Sequence, residues 1–281
     1  MSQFHKKPVT FVGEVSLNVM DLERAVQFYQ EVIGFKVLEK TAQKAVLTVN
    51  GKVPMLTINQ PSKVIPKEER TSGLYHFALL LPTRMDLSAF LDHLQVQRYP
   101  YGASDHDVSE ALYLSDPDGN GIEVYWDRPT SEWSWSGGEV RMVVERLDET
   151  GLLSQRQAAW CELPEDTLMG HIHLHVADLK KSETFYRKGL GFDVVSRYGQ
   201  AYFISTGGYH HHIGLNTWNG VGVPAPKQNS VGLHWFTLVM ADEAARDRAI
   251  KQLQAIGADV NQESGQYVAL DPSGNEIHLV V

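Results

Sequence analysis

The chain repeats itself. VSLNVMDLERAVQFYQEVIGFKV, from Val15 to Val37, lies on IHLHVADLKKSETFYRKGLGFDV, from Ile172 to Val194, at a constant offset of 157 residues. A second pair follows, with DPDGNGIEVY from Asp116 to Tyr125 matching DPSGNEIHLV from Asp271 to Val280. Two copies of one long segment fold alike, so the repeat limits the architecture before any single residue is weighed. It divides the 281 residues into halves at 8–127 and 168–281, joined by a linker at 128–167.

Each half divides again. In the first, a strand runs into a helix over 21–33, and short apolar runs at 35–39, 45–49 and 54–59 read as strands separated by turn residues such as Asn50-Gly51. A new strand at 74–81 leads to a helix near 86–98, then to strands near 111–115 and 121–126. The second half predicts strands at 170–176, 193–197, 201–205, 211–217 and 231–240, a helix at 242–256 and strands to the end. The unit is β-α-β-β-β, used four times, which makes the chain an α+β protein.

The strand opening the second half alternates sharply. His171, His173 and His175 stand at odd positions and Ile172, Leu174 and Val176 at even ones, so one face is imidazole and the other is core. Asp178 then sits where a helix N-cap belongs. Of twelve histidines, only His5, His76, His93 and His106 precede the linker, and the second half also holds His210, His211, His212, His234 and His278. A lone imidazole is ordinarily a core or surface residue, which is the expectation for His5, His93 and His106. Several on strands sharing one face would be costly to bury without partners.

A net charge of −9 with no basic cluster excludes nucleic acid and anionic lipid as partners. No apolar run is long enough for a secretory signal or a membrane span, so a cytoplasmic location is expected. Cys161 is the only cysteine, which rules out an intrachain disulfide, and its expected role is that of a small buried side chain. In the linker, Trp133 and Trp135 either pack on a domain or serve a homo-oligomer interface, and VVERLDETGLLSQRQ reads as helical.

Four such modules, with DL…FY…LGF opening each half and DP.GN.I-(E/H) closing it, resemble the vicinal oxygen chelate superfamily of glyoxalases, resistance proteins and extradiol dioxygenases. SDHDVSEALYLSDPDGNGIEVYWDRP together with YHHHIGLNTW looks most like its catechol 2,3-dioxygenase-like branch. The resemblance implies four βαβββ modules paired into two vicinal oxygen chelate domains with cupped mixed sheets, two modules per half. It further implies a divalent metal on a concave face, Fe(II) or Mn(II), held by two His and one Glu in the second half.

Carried over residue by residue, the resemblance makes His171, His234 and His278 the metal ligands. His278 stands where a Glu is usual, and His234 reaches the metal only if a bulge shifts its strand by one residue. His212, or alternatively His211, becomes the acid/base. Glu14, His76 and Glu123 fill the same positions in the first half and form a second candidate set. Met55 at the position of His212 marks that half as an inactive copy.

The activity implied is extradiol cleavage of catechol or a related dihydroxy-aromatic, with a small aromatic substrate and O2. His173, Trp218, Trp235, Phe236 and Tyr267 would line the substrate pocket. In the second half, however, the dioxygenase signature's tyrosine three residues before Asp-Pro is Val268, and no histidine stands a few residues upstream. The alternatives are a glyoxalase-like lyase, isomerase or detoxification protein using Ni(II), Zn(II) or Mn(II), with Glu14 and Glu123 as carboxylate ligands, and a non-enzymatic small-molecule binding module.

Overall fold

A computed structural model describes residues 2–263 and 265–281. The first module comprises β1 (Phe11–Asn18), α1 (Leu22–Phe28), β2 (Lys36–Lys40), β3 (Lys44–Thr48) and β4 (Pro54–Asn59). The second comprises β5 (Gly73–Leu80), α2 (Arg84–Val96), β6 (Gly102–Asp105), β7 (Ser109–Ser115) and β8 (Gly121–Asp127). The linker contributes a small hairpin, β9 (Trp135–Ser136) and β10 (Glu139–Val140), and a short α3 (Glu149–Leu153). The third module holds β11 (Leu168–His175), α4 (Leu179–Glu183), β12 (Asp193–Tyr198), β13 (Ala201–Ser205) and β14 (Ile213–Asn216). The fourth holds β15 (Gly232–Val239), α5 (Glu243–Ala255), β16 (Val260–Glu263), β17 (Gln266–Leu270) and β18 (Glu276–Val280).

The modules pair across the halves. One eight-stranded sheet runs β16-β17-β18-β15-β1-β4-β3-β2 and the other β12-β13-β14-β11-β5-β8-β7-β6. The first therefore joins modules one and four through the antiparallel pair β1/β15, and the second joins modules two and three through β5/β11. The expectation that each half closes its own cup is corrected by this order. A repeat reveals which segments are alike, but not which open strand edge meets which.

The repeated signatures explain how each half nonetheless holds together. The Asp116 carboxylate accepts the backbone N–H groups of Asp118 and Asn120, both at 2.9 Å, the Asn120 side-chain amide at 2.8 Å and the Tyr29 hydroxyl at 3.0 Å. Asp271 does the same with Ser273, Asn275 and Tyr186 at 2.8 to 3.1 Å. Each closing turn needs a residue at positive φ, supplied by Gly119 at 81° and Gly274 at 85°. The Tyr of FY and the Asp of DP.GN thus form a buried fastener between consecutive modules, while the sheets bind the halves to each other.

Helix starts follow the sequence. Asp21 and Asp178 accept backbone N–H groups of the first turns of α1 and α4. On β11, Ile172 and Leu174 are buried in a core that includes Phe77, Leu79, Ile122 and Val124. His171, His173 and His175 take the opposite face of the strand, as the alternation predicts. In the linker, Trp133 packs under Phe4 and Tyr209 while Trp135 is exposed. The helix expected there is only the short α3, whose one buried residue is Leu152. Cys161 is exposed, and the linker instead sends Leu147, Leu152 and Leu163 into the main core.

Candidate metal centre

Three donors meet on the face of the module two/three sheet. His76 comes from β5, Glu123 from β8 and His171 from β11. Ala78 of β5 is the register partner of both His171 and Glu123, which brings those two side chains to the same level of the sheet. His76 Nε2 lies 3.0 Å from Glu123 Oε2, His171 Nε2 lies 3.1 Å from the same oxygen, and the two ring nitrogens are 3.3 Å apart. All three residues are buried.

Burial alone would push the Glu123 carboxyl up, but the His171 and His76 imidazoles overcome it and hold the group well below the usual carboxylate range. Desolvation pushes His171 down to about 4 against the opposing pull of Glu123, so the imidazole is neutral at pH 7. A neutral nitrogen lone pair and a carboxylate are the forms that bind a cation. His171 Nδ1 is buried with no hydrogen-bond partner.

His76 and Glu123 open on a cavity of about 270 Å³. Tyr75, His173, Phe203, His211 and Trp218 line it, with His106 and Tyr113 on the side of the module two edge. An apolar cavity of about 150 Å³ already takes a benzene ring. His173 lies edge-on to Tyr75, at 5.0 Å between centroids, and its Nε2 is bonded by the Asn216 amide at 3.0 Å. Val143 O accepts the His106 Nδ1–H at 2.6 Å, which leaves Nε2 to accept the Tyr113 O–H at 2.7 Å. Burial and then Glu123 raise the Tyr113 phenol well above its ordinary value, so it stays protonated.

His211 and His212 part company. The His211 ring lies 4.1 Å from that of His171 and lines the cavity. His212 instead donates to Phe4 O at 3.0 Å and packs against His5 and Tyr209, fastening the N-terminal arm. The preference for His212 is corrected because residues 209–212 precede β14 in irregular backbone, where strand alternation does not hold.

The two expected ligand sets are both split. His234 is the extra residue of a bulge in β15, where Ser16 pairs with Trp235 and Leu17 with Leu233, and it is exposed. The bulge that was to bring it inward turns it outward. His278 bonds Glu276 at 2.8 Å and stacks on Trp235 at 4.6 Å. Glu14 accepts the Thr57 hydroxyl at 2.6 Å, and burial raises its pKa. Glu14, Trp235 and His278 line a larger cavity, about 880 Å³, in the cup of modules one and four. That cup holds none of the three converging donors. Of the other expected pocket residues, Trp218 lines the smaller cavity, Phe236 is fully buried core and Tyr267 packs under Arg246.

His106 and Tyr113 were missed, and the sequence did carry the signal. Tyr113 stands three residues before Asp116-Pro117, His106 lies a few residues upstream and Glu123 closes the signature. The features absent around Val268 and His278 are complete in the first half.

The chain belongs to the Glyoxalase/Bleomycin resistance protein/Dioxygenase superfamily, which it matches over residues 11–124 and 168–279. A relative from Bacillus subtilis (strain 168), named "Catechol-2,3-dioxygenase", is 43% identical over 287 residues, with 100% of both chains covered. The fold is also that of glyoxalase I from Zea mays, TM-score 0.57 and 16% identity, covering 96% of this chain and 92% of that one. A solved protein of Bacillus subtilis subsp. subtilis str. 168 gives a TM-score of 0.65 at 12% identity, covering 98% and 86%. Among the described residues no helix is long and apolar enough to cross a membrane.

Proposed function

We propose that the chain is an extradiol dioxygenase that opens catechol or a related dihydroxy-aromatic beside its hydroxyls. Its metal is Fe(II), held by His76, Glu123 and His171. The observation that carries this reading is the donor triangle. One cation bound at about 2.0–2.2 Å by nitrogen and oxygen donors sets its ligands about 3 Å apart, and the three edges measure 3.0, 3.1 and 3.3 Å. Two imidazoles and one carboxylate are also the donor set of oxygen-using iron enzymes, with positions left open for substrate and O2. The full-length relative named a catechol dioxygenase supports the same assignment.

A bound Fe(II) supplies Lewis-acid activation of the ring hydroxyls and the one-electron chemistry that O2 requires. The remaining roles fall to the chain's own groups. Tyr75, Phe203 and Trp218 enclose the aromatic ring and exclude water. His211 takes a hydroxyl proton as the substrate binds. Tyr113, oriented by His106, and His173, oriented by Asn216, complete the polar wall.

The glyoxalase-like reading needed Glu14 as a second carboxylate, and Glu14 belongs to the other cup. A single exposed cysteine suits a cytoplasmic setting. Protein purified without oxygen and loaded with iron should turn catechol yellow as the ring opens, with Mn(II) loading run in parallel. Catechol left colourless by fully iron-loaded protein would sink the reading.

A further inference from the structure

Behind the cavity lies a row of hydrogen bonds that the triad does not require. Asp127 Oδ1 is 2.7 Å from His210 Nε2, and His210 Nδ1 is 2.8 Å from His211 Nδ1. The other Asp127 oxygen accepts the Tyr209 hydroxyl at 3.0 Å, and Tyr209 in turn accepts that of Tyr125 at 2.6 Å. His210 and His211 are both buried.

The direction of each bond follows from what each group can give. A carboxylate only accepts, so His210 donates its Nε2–H to Asp127. An imidazole that carries one N–H and spends it on Asp127 keeps a bare Nδ1, and the short contact to His211 is then made by His211 donating from Nδ1. The nitrogen left for the cavity is then His211 Nε2, with its lone pair outward.

We infer that Asp127 and His210 are positioning residues that fix His211 in the Nδ1–H tautomer and so present a bare Nε2 to a hydroxyl of the substrate. The catalytic consequence rests on the dioxygenase reading, whereas the tautomer does not. The proton taken at Nε2 leaves an imidazolium whose Nδ1–H still points at His210, in line with the Asp127 charge. Tyr209 makes the arrangement sensitive to one atom. In Asp127→Asn, with Tyr125 still donating to Tyr209, the amide oxygen accepts the Tyr209 hydroxyl, which turns the amide N–H₂ toward His210 Nε2. His210 then donates from Nδ1, and His211 is driven to the opposite tautomer with Nε2–H facing the substrate.

The test reads the tautomer directly. Full-length protein carrying 15N-labelled histidine and loaded with diamagnetic Zn(II) is studied by long-range 1H–15N correlation, with His211 assigned by its absence in His211→Gln. The expected wild-type pattern is a protonated Nδ1 and a bare Nε2, reversed in Asp127→Asn. A wild-type His211 protonated on Nε2, or the same tautomer in both proteins, overturns the inference. With iron and catechol, Asp127→Asn should lose about 10²–10⁴-fold in kcat, the range for a displaced general base, with KM and metal content unchanged. A variant with unaltered kcat, or one altered in KM alone, also overturns it. The expected tautomers in a protein that leaves catechol intact would uphold the positioning role and reject the dioxygenase reading instead.

Discussion

Gly214 is where one methyl group should test the cavity wall. It pairs with His173 across β14 and β11, and a Cβ placed on it would lie 2.7 Å from His173 Cγ and Cδ2 and 2.9 Å from Nδ1. Ordinary carbon contacts lie at about 3.5–4.0 Å, so the imidazole must retreat by about 1 Å. It has little room, with the rings of His76, Trp218 and Phe203 at centroid distances of 5.1, 5.4 and 5.6 Å. Overpacking of this kind costs about 1–3 kcal/mol, and straining the Asn216 bond to His173 adds about 1 kcal/mol. Replacing glycine returns about 0.4–1 kcal/mol through the unfolded chain. Gly214→Ala should therefore destabilise by about 2–3 kcal/mol, read from urea unfolding of the metal-free protein. With iron loaded, KM for catechol should rise while iron content holds. In a His173→Ala background the same methyl finds space and the penalty should vanish. An equal penalty in both backgrounds, or none in the wild type, would refute the steric account.

Further outcomes follow from the same structure. His76→Ala, Glu123→Gln and His171→Ala should each abolish stoichiometric metal, whereas Glu14→Ala and His278→Ala should retain it in elemental analysis. In metal-free protein, burial holds His171 at about 4 against an ordinary 6.5. The folded state thus resists its protonation. The contribution is complete above pH 6.5 and falls by about 3 kcal/mol as the pH drops toward 4, so the slope in urea titrations of His171→Gln should be shallower by that amount, with buried His173, His211 and His212 supplying the remainder. Phe77→Ala, in the fully buried layer beneath the site, should cost about 3–5 kcal/mol in the same denaturation assay. Tyr113→Phe should keep the metal but lower kcat for ring opening, while an unchanged kcat would remove Tyr113 from the polar wall.

The fold was legible because its signals are local and duplicated. Alternation along 170–176 and the Asp178 cap depend on neighbours in sequence, and the repeat carries each reading from one half to the other. The site was less legible because it depends on which strand edges meet. His171, His76 and Glu123 were each identified as candidate ligands, yet in two different sets, because both sets followed the boundary between the halves. Pairing of β5 with β11 crosses that boundary and draws one donor from the second half to two from the first. His234 shows the other limit, since a bulge was foreseeable but the direction in which it turns a side chain was not. His212 failed for a related reason, the irregular backbone before β14.

The crossed pairing also bears on how such a chain can diverge. The two cups correspond position by position, with Glu14 in the place of His171, Trp235 in that of His76 and His278 in that of Glu123. Were the halves identical subunits of a dimer, every substitution would appear in both cups, and losing a ligand from one would lose it from the other. Covalent fusion removes that constraint. A single polypeptide can keep a complete donor set in one cup while the other is free to exchange its ligands for a tryptophan and a wider chamber, and its sheet still supports the first.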